Sequence, residues 1–114
     1  MDIRLLLLTG VVLTLGACDR IDPLSVTESP SGLYVILDSL GTQSESRFIC
    51  IRPKKDRSCF PSDADVIIAS VGQAVEADAV WDENSQVLIR LSSGKVERAA
   101  RTVLNGNVNI RIEK

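Results

Sequence analysis

The densest cluster of ionisable side chains in this chain is Arg52, Lys54, Lys55 and Arg57, stiffened by Pro53, diluted by Asp56 and flanked by Cys50 and Cys59. Cations packed this closely suit an anionic partner such as lipid phosphate, lipopolysaccharide, an anionic glycan or an acidic protein patch. A loop held in shape beforehand would bind such a partner at a smaller ordering cost. The competing assignment is a solvated hairpin tip whose charges keep the domain soluble. Nucleic acid is a poor fit, because no aromatic side chains interleave the cations to stack on bases. Acids recur at Asp63, Asp65, Glu76, Asp78, Asp82 and Glu83. A glycosidase needs two carboxylates placed across a sugar, and a calcium loop needs ligands at a fixed stagger around a central glycine; neither pattern is present. These acids are expected in solvated turns. Histidine is absent altogether, which removes the commonest general base and the commonest zinc ligand. There is no Gly-x-Ser-x-Gly elbow and no phosphate-binding glycine loop. Trp81 and Tyr34 could stack on a ligand, but aromatics this sparse in a small domain are expected to anchor its core. The expectation is therefore a protein that is not an enzyme, with no metal and no cofactor.

The elements that must carry these residues begin with a leader. Met1-Asp2-Ile3-Arg4 is a short charged segment, and Leu5 to Leu15 is apolar apart from Thr9, Gly10 and Thr14. A membrane-spanning helix needs about 20 apolar residues, whereas the apolar region of a signal peptide needs roughly 7 to 15. Leu15-Gly16-Ala17-Cys18 then places a leucine and two small residues before a cysteine. This segment resembles the signal peptide and lipobox of bacterial lipoproteins. The resemblance implies diacylglyceryl attachment to the Cys18 thiol, cleavage before Cys18 and acylation, commonly with palmitate, of the new amino group. Each buried methylene contributes about 0.8 kcal/mol, so two or more chains anchor stably where one is marginal. The alternative is an ordinary secretory leader with a cysteine nearby. Asp19 follows the anchor cysteine and resembles the inner-membrane retention signal of enteric bacteria. The implied address is a cell membrane, inner rather than outer, with the folded part facing the periplasm.

Cleavage of residues 1–17 from the 114-residue chain leaves 97, enough for one domain with a modest core. The leader takes one acid and one base, so the net charge stays at −2. That balance argues against nucleic acid and against a strongly cationic surface. With Cys18 assigned to lipid, Cys50 and Cys59 form an even pair, which in an oxidising compartment suggests a disulfide. A redox or metal pair is the alternative, although the spacing is far from Cys-x-x-Cys.

Residues 18–31 are polar, with Pro23 and Pro30, and are expected to form the lipidated cysteine and a flexible tether. Residues 32–114 are expected to form a single β-domain. Leu33 to Leu37, Arg47 to Arg52, Val66 to Val71 and Ala77 to Trp81 are β-prone, with a polar loop over Gly41 to Ser46 and a turn over Asp82-Glu83-Asn84-Ser85. Val87, Ile89 and Leu91 alternate so as to put one face inward, and Val108, Ile110 and Ile112 alternate with Asn109, Arg111 and Glu113. Ser93-Gly94 should end the first of these strands. Val96 to Leu104 fits helix or strand, and strand is favoured because Asn105-Gly106 is a type I′ hairpin signal. The fold expected is mainly β, an antiparallel meander closed as a barrel or a sandwich.

Ser29-Pro30-Ser31-Gly32-Leu33-Tyr34, with Val80-Trp81 and the strand endings downstream, is similar to small bacterial lipoproteins that open with Ser-Pro-Asp-Gly-Lys-Tyr and have no settled activity. Together these features imply a membrane-anchored, non-enzymatic binding module whose partner is an envelope protein or an anionic surface. The alternative is a small inhibitor or exclusion lipoprotein acting on an incoming enzyme or conjugation partner.

Overall fold

The computed structural model describes residues 24–41, 45–83 and 85–114. The leader, Cys18, Asp19 and the first part of the expected tether lie outside the described residues, as do 42–44 of the polar loop and Asn84. The strands are β1 (Ser25–Glu28), β2 (Tyr34–Leu40), β3 (Arg47–Pro53), β4 (Val66–Ala69), β5 (Glu76–Glu83), β6 (Gln86–Ser93), β7 (Lys95–Ala99), β8 (Thr102–Val103) and β9 (Val108–Glu113), with a 3-10 turn at Pro61–Asp63. They form a five-stranded sheet in the order β1-β2-β3-β4-β7 and a four-stranded sheet in the order β5-β6-β9-β8. The protein is mainly β, and neither sheet closes into a barrel.

The apolar runs explain which strands sit deepest. Val35, Ile36 and Leu37 are all essentially inaccessible, as an unbroken apolar run requires when both faces of a strand are covered. Ile36 joins Ile49, Ile51, Val66 and Ile68 in a layer shared with Val75, Val87, Ile89, Leu91 and Val108 of the other half of the chain. Val35 and Leu37 point the opposite way and meet Cys50, Cys59 and Ala64, with Phe48 and Ile67 alongside. The first sheet is thus buried on both faces at its centre, along β2 and the middle of β3. On β6, where Val87, Ile89 and Leu91 were expected to face inward, all three belong to the shared layer.

Three features depart from the sequence reading. Ser25–Glu28, within the expected tether, is β1, an edge strand paired antiparallel with β2 from Ser25↔Asp38 to Glu28↔Val35. All four of its side chains are exposed, so main-chain pairing forms the strand and leaves no hydrophobic pattern to read. Second, the meander is antiparallel through β1 to β4, but β9 pairs with β6 in parallel, from Gln86↔Asn109 to Arg90↔Glu113. The cause is chain routing, since β7 joins the first sheet while β8 returns to the second. Third, the stretch from Val96 to Val103 is extended but divided, with Ala100 and Arg101 marking the crossing between sheets and Leu104 already in the turn.

Gly94 makes the first crossing possible. Its φ is +135°, and a Cβ there would come within 2.6 Å of Ile68 Cγ2 and 3.2 Å of the Ala69 carbonyl. At the second hairpin, Asn105 and Gly106 have φ of 59° and 85°, as a type I′ turn requires. Leu104 is also left-handed, with φ of 55°, so the loop between the Val103↔Val108 pair holds four residues rather than two.

Gly94→Ala should lower stability by about 2–3 kcal/mol through the combined backbone strain and overpacking. Gly72→Ala, at positive φ but with nothing within 4 Å of the added Cβ, should cost about 1 kcal/mol. Urea unfolding of the two variants checks the difference; equal midpoints would contradict a tight corner at Gly94.

Candidate functional site

The basic cluster lies where β3 leaves the sheet. The Asp56 N–H donates to the Pro53 carbonyl at 2.9 Å, closing a β-turn with Lys54 and Lys55 at its two central positions. Asp56 then folds back on Ser58, accepting from the Ser58 hydroxyl at 2.6 Å and its N–H at 3.0 Å. The hydroxyl first, then the N–H, hold the Asp56 carboxyl below its ordinary 3.8, with a smaller contribution from Arg52. Asp56 therefore stays charged at neutral pH, and these bonds are lost only as pH falls through that lowered value. Arg57 Nε donates to the Lys54 carbonyl at 3.3 Å, bracing the turn from behind. Lys54, Lys55 and Arg57 are exposed.

Cys50 and Cys59 lie at disulfide distance, with Cα atoms 5.8 Å apart. Cys50 points away from the shared core, so this link draws the chain after β3 back across the outer face of β2 and β3. Both cysteines are buried, with Cys59 3% exposed. The basic turn is thus the near end of a strap laid over the sheet.

Arg52 is separated from the other three cations. Its side chain is 14% exposed, and Nη1 lies 2.9 Å from Asp65 Oδ2 while Nη2 lies 3.3 Å from Asp63 Oδ1. Its guanidinium also donates to the carbonyls of Ile51 and Asp63. Arg52 therefore serves the fold, and the cations presented outward are Lys54, Lys55 and Arg57. Lys54 Nζ lies 3.5 Å from Glu28 Oε1 of β1.

Asp65 departs from the expectation of a solvated turn. Pairing between β3 and β4 stops at Ile49↔Val66, and Asp65 Oδ2 accepts the Ile51 N–H beyond that point at 2.7 Å. The Asp65 N–H donates to the Ile49 carbonyl at 3.0 Å, and its carbonyl accepts from Ala100 at 2.9 Å. One residue thus ties β3 and β4 to the end of β7. Asp63 remains half exposed and accepts the Phe60 N–H at 3.0 Å. Glu76, Asp78, Asp82 and Glu83 are exposed, but on the strand β5 rather than in turns.

A second buried charge pair was not anticipated. Asp38 on β2 and Arg47 on β3 form a two-pronged ion pair, with Arg47 Nε donating to Asp38 Oδ1 at 2.8 Å and Nη2 bonded to Oδ2. Their side chains are 7% and 15% exposed. Arg47 also lines an open cleft of about 540 Å³ with Val75, Glu76, Ala77, Asp78, Arg90 and Ser92. The cleft's exposed charges are of both signs, which gives it no bias toward an anion or a cation.

Tyr34 and Trp81 pack against the shared core and stack on each other, with ring centroids 6.4 Å apart and planes 28° from parallel. The Trp81 indole N–H donates to the Thr27 carbonyl at 2.9 Å, fastening β1 to the opposite sheet. Among the described residues, no group of three or more Cys, Asp or Glu side chains is placed to hold a metal ion.

Comparison of the chain with protein-family models, with curated proteins and with solved structures finds no significant match. The arrangement must be read on its own chemistry. What it offers is a pre-shaped turn carrying Lys54, Lys55 and Arg57, fixed at one end of the strap.

Asp65→Ala should lower stability by about 3 kcal/mol, because it strands both the Arg52 charge and the Ile51 N–H. Asp63→Ala, losing a longer and exposed ion pair, should cost about 1 kcal/mol. Guanidinium unfolding curves measure both, and an Asp65 variant as stable as the parent would refute the tie.

Proposed function

We propose that this protein is a lipid-anchored bacterial lipoprotein whose β-domain faces the periplasm and acts as a non-enzymatic binding module of the cell envelope. The observation that carries the reading is Leu15-Gly16-Ala17-Cys18 at the end of an apolar leader, followed within a few residues by β1. A lipid-modified Cys18 would account for the third cysteine, leaving Cys50 and Cys59 to each other. The two sheets are read as an open sandwich, supported by the single apolar layer to which both contribute.

The surface suited to binding is the outward turn. Because Arg52 is neutralised by Asp65 and Asp63, the cation set consists of Lys54, Lys55 and Arg57, and the partner's chemistry is anionic. Asp19 favours the inner membrane as the place of attachment. The chain's modest net charge of −2 leaves this turn as a local feature rather than part of a cationic surface.

Cys18→Ser should abolish acylation and recovery of the protein with membranes. Intact mass and detergent partitioning of parent and variant provide the test. A variant whose mass differs from the parent's only by the exchange of sulfur for oxygen, with the same detergent partition, would sink the anchor.

A further inference from the structure

The strand β1 shortens the tether expected from the sequence. Leu24 stands six positions after Cys18, and a fully extended chain spans at most about 3.6 Å per residue, so the described domain begins within about 20 Å of the anchor position. The headgroup layer on each side of a bilayer is about 5–7 Å thick. A domain held this closely has to rest near the lipid surface in some orientation.

One face is built for that contact. Val26 pairs with Leu37 and so points to the strap side of the first sheet. It is 41% exposed, and Leu24 beside it is 60% exposed. Leu33, 62% exposed, accepts the Lys54 N–H at 2.9 Å through its carbonyl, which sets an apolar side chain next to the basic turn. The exposed large apolar side chains of β1 and of the β1–β2 turn thus run up to Lys54, Lys55 and Arg57.

We infer that this face, Leu24, Val26 and Leu33 together with Lys54, Lys55 and Arg57, docks on the anionic phospholipid headgroups of the membrane that carries the anchor. The inference rests on the lipoprotein reading. Apolar side chains entering the headgroup layer beside cations that meet phosphates are the two components of interfacial binding. Two acids lie beside the cations: Glu28, paired with Lys54, and the exposed Asp56, bonded to Ser58. The excess of positive charge is small, so contact with a free partner would be weak. Anchoring changes that, because a short tether raises the effective concentration to about millimolar and makes a weak contact sufficient. Only a surface on the same membrane gains from this, which favours lipid over a diffusing envelope protein.

The test is hydrogen exchange of the acylated full-length protein in vesicles of phosphatidylglycerol and phosphatidylethanolamine, against vesicles of phosphatidylcholine alone. Amides of residues 24–33 and 54–58 should exchange about threefold more slowly on the anionic vesicles, as expected when effective concentration exceeds the dissociation constant about twofold. Replacing Lys54, Lys55 and Arg57 together by Gln should remove that slowing, with flotation alongside the vesicles unchanged. Equal exchange on both vesicles, or slowing confined to another face, would overturn the docking while leaving the anchor intact. Failure of the parent protein to float with either vesicle would overturn the anchor itself and the docking with it.

Discussion

The link between Cys50 and Cys59 is the constraint on which the rest of the structure depends. It fastens the chain leaving β3 to the outer face of the sheet it has just left, and that face is where Val35 and Leu37 point. Without the strap these two side chains would be exposed, and burying a residue of this size contributes about 1.5–3 kcal/mol. Closing a short loop adds about 2–3 kcal/mol on the chain-entropy model. In a domain whose whole stability is expected to be about 5–10 kcal/mol, the strap is a large share. It also sets the outward turn, since Lys54, Lys55 and Arg57 lie inside the closed segment.

Polar ties then complete what apolar burial begins. Asp65 continues the hydrogen bonding of β3 past the point where β4 stops pairing, and Arg52 pairs with that carboxylate. Asp38 and Arg47 do similar work at the other end of β2 and β3. Burying such pairs is costly in desolvation, and removing one partner is costlier still. Trp81 fastens β1 from across the molecule through the Thr27 carbonyl. The edge strand, which buries no side chain of its own, is therefore held by β2 and by the second sheet together.

How much of this was legible in the sequence follows from what each feature leaves as a trace. The strands that bury side chains were readable: β2 as an unbroken run, and β6 and β9 as alternations. The Asn105-Gly106 hairpin was readable because only a few residues accept a positive φ. β1 left no pattern, because its stability comes from main-chain pairing. The parallel pairing of β6 with β9 could not be read either, since it depends on the chain changing sheets twice. At the site, the outward cations were legible by composition, but the withdrawal of Arg52 was not. That withdrawal requires the register placing Val66 opposite Ile49, which brings Asp65 to the end of β3. The Pro-Ser-Asp-Ala-Asp segment looks like any acidic turn until that register is known.

The strap makes a second buried layer, distinct from the layer between the sheets. Methyl NMR spectra of the protein recorded before and after reduction of the disulfide test it most directly. The methyl resonances of Val35, Leu37, Ala64 and Ile67 should move on reduction while those of Ile36, Val87 and Ile89 hold their positions. Outer-layer resonances that do not move, or a simultaneous collapse of both sets, would contradict it.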